Sequence, residues 1–240
     1  MFFFFHLLVG VATGLFLSEV LRSRRWFLPV AVGSILPDLI DKPLGHIIFA
    51  ETIGNGRIIG HSLIFLVIIL ILAFFQWKYR GSLLCFGVGI GVLLHQVLDS
   101  MWKIPKTWYF PLYGPFPMGD YHAYFSGSFW RELTSPQEWL AVVLLICIGV
   151  LFLGEWFSGS RASLSFIPRI RWPCMTALGM VTIGTGIFVL IRLESIGSSL
   201  LYPVVSGGDP VICALALIWC GFVFLLLPLL HLSRGDDLSE

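Results

Sequence analysis

The sequence predicts an all-α fold, a polytopic helical membrane protein with six or seven membrane segments. Of its 240 residues, 57% are hydrophobic and only 12% are charged, and the mean hydropathy is +0.90. A soluble domain carries about 25% charged residues, so lipid is the expected solvent of this chain. We therefore expect a multi-pass membrane protein, with the lipid bilayer as its first partner. A net charge of +1 argues against nucleic acid as a further partner.

The membrane segments follow from apolar stretches of the length needed to cross a bilayer, about 20 residues. Six stretches qualify: 2–20, 58–77, 81–102, 138–158, 174–193 and 210–232. A seventh, 26–40, is short and holds two prolines and a glycine, so whether it crosses stays open. The segment 103–137 is rich in Pro, Gly and aromatic residues, which is typical of an interfacial loop. We predict a polar-residue region, 1–137, that includes this loop, followed by a three-span anchor, 138–240.

The distribution of Lys and Arg indicates the orientation of the chain. If 26–40 crosses and the N-terminus lies outside, nine basic residues fall on the cytoplasmic side and five on the other. If 26–40 does not cross, the division is eight against six. The first division is the clearer one, and it favours the crossing.

Few ionisable residues lie in or beside the apolar segments, and most of them map to one membrane face. These candidate residues are His6, Asp38, Asp41, His61, His95 and Asp99. The 58–77 and 81–102 spans run antiparallel, which brings the start of one beside the end of the other. Only if 26–40 crosses does the start of the first span reach the same face, which we expect to be extracytoplasmic. Because a charge within the bilayer costs about 2.5–3.5 kcal/mol, such residues are candidates for function.

The chemistry of these residues suits a divalent metal. His95 and Asp99 are four apart and project from one helix face. Imidazole with carboxylate is a common ligand mixture for zinc, manganese or iron. Gly10 and Gly14 share a helix face with His6, which lets a neighbouring helix approach and turns His6 toward the bundle.

Ordinary structural roles remain open for each residue. Asp38 would cap a helix, Asp41 would pair with a nearby base (Lys42 or Arg57), and His95 with Asp99 would form an intrahelical hydrogen bond. His6, His46 and His122 would lie at the interface or in loops, and the five cysteines would be packing residues. The sequence contains no HExxH, no GxSxG and no Walker-type loop, which argues against the corresponding enzyme classes.

Four ordered motifs resemble the YdjM-like family of membrane-bound metal-dependent hydrolases. They are HLLVGVATG, GSILPDLIDKPLG, GRIIGHSL and LLHQVLDSMWKIPKTWYFPLYG, and they extend over residues 1–118. The resemblance implies a location in a prokaryotic inner membrane and a distant similarity to zinc-dependent phospholipase C and single-strand nucleases. It also implies metal-site roles for His6, Asp38, His61, His95 and Asp99, with Asp41 beside them. Many relatives have a histidine before the HS motif where this chain has Asn55 and Gly56, so the metal count stays open.

These inferences lead to a functional hypothesis. We expect a metal-dependent hydrolase with a divalent ion, zinc first and manganese or iron as alternatives, acting on a small-molecule or lipid-like phosphoester or ester. Asp41 is the candidate general base. Two alternatives remain, a transporter that handles a cation or protons, and a non-catalytic scaffold or regulator with a structural metal site.

Overall fold

The computed structural model describes residues 3–119, 127, 129–158, 167–192 and 209–236, and these residues form helices joined by turns and loops. The helices that carry the polar cluster are α1 (Phe3–Val20), α2 (Phe27–Gly33), α3 (Leu36–Pro43), α4 (Leu63–Arg80) and α5 (Leu84–Leu98). The other α-helices are α6 (Pro105–Trp108), α7 (Phe129–Thr134), α8 (Pro136–Ser158), α9 (Ile167–Ile191) and α10 (Pro210–Asp236), and three short 3-10 or π helices lie at Arg24–Trp26, Leu44–Ile48 and Met101–Lys103. The predicted all-α class is confirmed for the described residues.

Four of the described helices, α1, α4, α9 and α10, are long and apolar enough to cross a membrane, and α5 and α8 hold shorter apolar stretches. The segment count of six or seven stays a prediction, because α2 has only seven residues. The predicted 58–77 span begins later than expected. The backbone of residues 58–62 is held in a loop, and Ser62 caps α4 by accepting a hydrogen bond from the Phe65 N–H.

The first two helices form an antiparallel hairpin that depends on glycine. Gly14 lies against the backbone of Phe27, and Gly10 lies against Ser34, so close that a methyl group at either position would clash. The predicted small-residue stripe on α1 is therefore confirmed as a helix contact. The 26–40 segment turns back along α1, which is the direction its crossing requires.

Helix α5 packs on α2 and runs parallel to it toward the same end of the bundle. The backbones touch where Gly91 meets Val30 and Ser34, and Gly87 lies against Pro29. As a result, the C-terminus of α5 lies beside the start of α3 and the start of α1.

The C-terminal helices pack against α1 rather than standing apart. A continuous apolar cluster joins α1 to α8, α9 and α10, with members such as Leu8, Leu144, Met175 and Phe224. The indole N–H of Trp219 in α10 donates to Thr13 Oγ1 of α1. These contacts fix the helix that carries His6. The proposed division between 1–137 and 138–240 stays a prediction.

Candidate metal centre

The structure brings all six candidate residues together at one end of the helices. His6 lies in the first turns of α1, Asp38 and Asp41 lie on α3, and His61 lies just before α4. His95 and Asp99 lie in the last turn of α5 and at its C-cap. The side chains of the six are at most 4% exposed. The expected convergence at one face is thus observed, and the ligand roles remain predictions.

Two overlapping groups of side chains have the composition and spacing of a metal site. One group is His6, His95 and Asp99, and the other is Asp38, His61 and His95. Within each group the candidate ligand atoms lie within 4.8 Å of one another. Both groups consist of the nitrogen and oxygen donors that zinc, manganese and iron accept.

The contacts across the cluster are short. The Nε2 atoms of His61 and His95 are 3.0 Å apart. His61 Nε2 is 3.5 Å from Asp38 Oδ1 and 3.4 Å from Asp99 Oδ2, and His6 Nε2 is 3.3 Å from Asp99 Oδ1. Zinc bonds of about 2.0–2.1 Å place tetrahedral ligands about 3.3 Å apart, so these separations fit ligands of one ion.

Asp41 holds His61 in place. Its Oδ2 lies 2.7 Å from His61 Nδ1 and also accepts the backbone N–H groups of Ile58 and His61. Its Oδ1 accepts the N–H of Gly60. A carboxylate only accepts hydrogen bonds, so His61 carries its proton on Nδ1 and turns Nε2 toward the cluster. A carboxylate–histidine pair of this kind commonly orients a metal ligand.

The backbone carbonyl of Ser34 does the same for His95. Its oxygen lies 2.7 Å from His95 Nδ1, so this ring also carries its proton on Nδ1. Helix α2 ends at Gly33 with Ser34 as its C-cap, and α3 begins only at Leu36 with Pro37 in its first turn. The break in the helix leaves the Ser34 carbonyl available for the imidazole.

Two basic side chains flank the carboxylates. Lys42 Nζ lies 3.2 Å from Asp38 Oδ2, and Arg57 Nε lies 3.0 Å from Asp99 Oδ2. Their side chains are 18% and 26% exposed, so they form the more accessible edge of a buried cluster. The expected pairing of Asp41 with Lys42 or Arg57 is not observed, because these bases pair with the other two aspartates.

The surroundings favour positive charge at the centre. Burial lowers the pKa of His61, but hydrogen bonds with Asp38, Asp41 and Asp99 outweigh it and raise the pKa to about 10. Burial raises the pKa of Asp99, but Arg57, His6 and His61 hold that pKa well below its usual value. The cluster therefore stabilises carboxylates together with a cation among them.

The structure does not show the ordinary structural roles that were considered for Asp38, His95 and His46. The N-cap of α3 is Ile35, and no side-chain cap is formed there, so Asp38 does not cap this helix. His95 Nε2 and Asp99 Oδ2 are 3.9 Å apart, which is too long for an intrahelical hydrogen bond. His46 is buried against Gly56 rather than exposed in a loop. His122 lies outside the described residues.

Sequence reasoning missed three contributors to the centre. The Ser34 carbonyl belongs to the backbone, so the residue type does not indicate its role. Gln96 is fully buried, and its Nε2 donates to the Ser62 carbonyl beside His61; its polar side chain next to His95 in an apolar span was the available signal. Glu138 accepts hydrogen bonds at the start of α1 from 134 residues away.

Comparison with known proteins assigns the family. The model of the YdjM inner membrane protein family matches residues 1–230. The chain belongs to this family. No curated protein and no solved structure matches the chain. The YdjM match extends beyond residue 118, where the recognised motifs end, and includes residues 138–230, for which the sequence motifs indicated no family. The expected distant similarity to phospholipase C and nucleases stays a prediction.

Proposed function

We propose that this YdjM-family protein is a membrane-bound hydrolase that uses one divalent metal ion to cleave a phosphoester. The observation that carries the proposal is the 3.0 Å contact between the Nε2 atoms of His61 and His95. When both imidazoles are neutral, each ring carries its proton on Nδ1, and two lone pairs point at each other in a buried site. A cation between them relieves this repulsion, and the nearby carboxylates supply further ligands.

A proton stabilises this cluster of donor atoms less well than a metal ion does. One proton on His61 Nε2 is directed at one acceptor, whereas His95 Nε2, Asp38 Oδ1 and Asp99 Oδ2 all lie within 3.0–3.5 Å of that nitrogen. A divalent ion accepts all of these donors at once. Zinc is the first choice for three imidazoles with carboxylates, and manganese or iron is an alternative.

The shared residue favours a single ion. Both ligand groups use the Nε2 atom of His95. The lone pair of a neutral imidazole nitrogen binds one ion, so both groups cannot hold separate three-ligand ions at the same time. We therefore propose about one ion per chain.

The basic residues favour an anionic substrate. Three aspartates (38, 41 and 99) face two bases, Lys42 and Arg57, so the centre with neutral imidazoles has a net charge of −1. One divalent ion changes this sum to +1. The loaded centre then attracts a phosphate ester more strongly than a neutral carboxylic ester. The more exposed position of Arg57 suits it to bind the phosphoryl oxygens.

Different residues would bind the ion, orient one of its ligands and accept the proton of the water. A bound divalent ion lowers the pKa of a water and polarises a phosphoryl oxygen. His6, Asp38, His61, His95 and Asp99 would hold it. Asp41 makes four hydrogen bonds that orient His61, which favours a positioning role over that of general base. A carboxylate oxygen of Asp38 or Asp99 would take the proton of the attacking water and return it to the alkoxide that leaves as the phosphorus–oxygen ester bond breaks.

The burial of the cluster favours one second candidate, a structural metal site in a non-catalytic scaffold. Asp38 and His61 have side chains at most 1% exposed, as closed structural sites do. Both candidates bind metal, and only the hydrolase turns over a phosphoester.

The test is elemental analysis of detergent-purified protein, with wild type compared to His95→Ala and Asp38→Ala. His231→Ala, on an exposed residue at the other end of α10, is the matched control. We expect about one zinc, manganese or iron per wild-type or control chain and less than about a tenth in the two site variants. A metal-free wild type would refute the metal centre. Metal without turnover in a phosphoester screen would favour the scaffold.

A further inference from the structure

A buried carboxylate from the C-terminal half lies at the N-terminus of α1. Glu138 Oε2 accepts the backbone N–H of Phe4 at 2.8 Å, and Glu138 Oε1 accepts that of Phe5 at 3.2 Å. Glu138 is 4% exposed and belongs to the first turn of α8. The partners are more than 130 residues apart in the sequence.

This contact has a clear physical role. The first N–H groups of a helix have no partner within the helix, and they carry a partial positive charge. A carboxylate that accepts two of them satisfies both donors and complements the helix dipole. Glu138 therefore fixes the position of the first turn of α1.

The residue that follows the capped pair is His6. Its Nε2 lies 3.3 Å from Asp99 Oδ1, and its ring centroid lies 4.2 Å from that of His95. Since His6 is one residue from Phe5, a displacement of the first turn moves the imidazole directly.

A second contact shows that the C-terminal half holds α1 along its length. The Trp219 indole donates to Thr13 Oγ1 two turns further along, at 2.9 Å. Beside these polar contacts, Phe5, Leu140 and Leu217 belong to one apolar cluster. Trp219 fixes the middle of α1, whereas Glu138 fixes the end that carries His6.

We propose that Glu138 is a positioning residue that holds His6 in the metal centre, so that residues beyond 137 complete the site. The ligand role of His6 rests on the proposed function, whereas the capping of α1 by Glu138 does not. Two measurements separate these parts.

The first measurement is hydrogen exchange of the peptide that covers residues 3–10, in detergent and with chelator present. We expect Glu138→Ala to speed exchange in this peptide about 10-fold and to leave the peptides of α4 and α5 unchanged. Glu138→Gln keeps a carbonyl acceptor and is expected to lie between wild type and Glu138→Ala. Glu51→Ala, which removes an exposed carboxylate elsewhere, is the matched control. Unchanged exchange in both Glu138 variants would overturn the proposal.

The second measurement is the affinity for Co²⁺ in a double-mutant cycle of Glu138→Gln and His6→Ala. We expect Glu138→Gln to weaken binding about 10-fold, and to have little effect once His6 is already absent. Additive effects would overturn the positioning role, because a general loss of stability acts whether or not His6 is present.

The two proposals fail in different ways. If wild-type protein binds no Co²⁺, the metal centre is wrong. In that case, modification of His6 by diethyl pyrocarbonate decides the positioning role. Faster modification in Glu138→Gln than in wild type supports it, and equal rates overturn it.

Discussion

Asp41 Oδ2 lies 2.7 Å from Nδ1 of His61, and both side chains are fully inaccessible to solvent. The pair fixes which imidazole nitrogen faces the cluster. Asp41→Asn replaces the carboxylate by an amide that cannot accept all four hydrogen bonds at once. We expect a 10–100-fold loss of metal affinity although no proposed ligand is removed, measured by competition with a chromophoric chelator. Glu51→Gln is the control for loss of a carboxylate, and equal affinity in Asp41→Asn would contradict the orienting role.

The stability of the protein should depend on pH in opposite ways with and without metal. The folded-state pKa of His61, about 10, lies above its ordinary value of 6.5. Its contribution to metal-free stability is therefore complete below pH 6.5 and is lost as the pH rises toward 10. Metal ligands must be deprotonated, so metal binding strengthens over the same interval.

Thermal unfolding from pH 6.5 to 10 measures both trends. We expect Tm to fall with rising pH in chelator, and the increase in Tm caused by added Zn²⁺ to grow. His61→Gln should remove most of the first trend. A metal-free Tm that rises over this interval would contradict the charged state assigned to His61.

Arg57 should determine the preference for anionic substrates. Its Nε is bound to Asp99, and its side chain is more exposed than those of the proposed ligands. We expect Arg57→Lys to lower kcat/KM for phosphoesters about 10-fold or more, because a lysine cannot bind the carboxylate and a phosphoryl group as a fork. It should leave any turnover of neutral esters unchanged. Lys106→Ala, which removes an exposed base in α6, is the control, and equal losses for both ester classes would contradict the assignment.

Cysteine labelling tests the proposed extracytoplasmic location of the cluster. Met118 and Tyr79 are 77% and 73% exposed, and they lie near opposite ends of the described helices. In a background without the five native cysteines, we expect a membrane-impermeant maleimide to label Met118→Cys in intact cells. Tyr79→Cys should be labelled only after permeabilisation. The reverse pattern would place the cluster on the cytoplasmic side.

The sequence was most informative about the candidate site residues, because their proposed roles depend on their side chains. Ionisable residues in an apolar chain are few, so His61, His95 and Asp99 could be selected, and antiparallel spans placed them together. Helix periodicity also indicated that the Gly10 face of α1 is a packing face. The partners of these residues were harder to predict. Asp41 was expected to serve as a base or to pair with a base, whereas its oxygens accept a ring nitrogen and three backbone N–H groups.

Long-range contacts explain the other features of the structure that could not be predicted from the sequence. Glu138 begins an apolar helix, and acidic residues commonly occur in the first turn of a helix. Nothing local indicates that it caps a different helix. The same holds for the start of α4, where the predicted apolar span included residues 58–62. The hydrogen bonds of Asp41 and the cap of Ser62 hold that stretch in a loop.

The break between α2 and α3 places a backbone carbonyl group in contact with the cluster. Because the His95 ring is held by the carbonyl oxygen of Ser34, any amino acid at position 34 that preserves the bend supplies the same acceptor. The Ser34 hydroxyl is engaged elsewhere, with the Ala31 carbonyl. The imidazole therefore places no demand on the side chain at this position, and the close packing of Ser34 against Gly10 is what keeps that side chain small. Purifying selection would act also on Pro37 and on Gly91, which maintain the bend and the close approach of α5 to it.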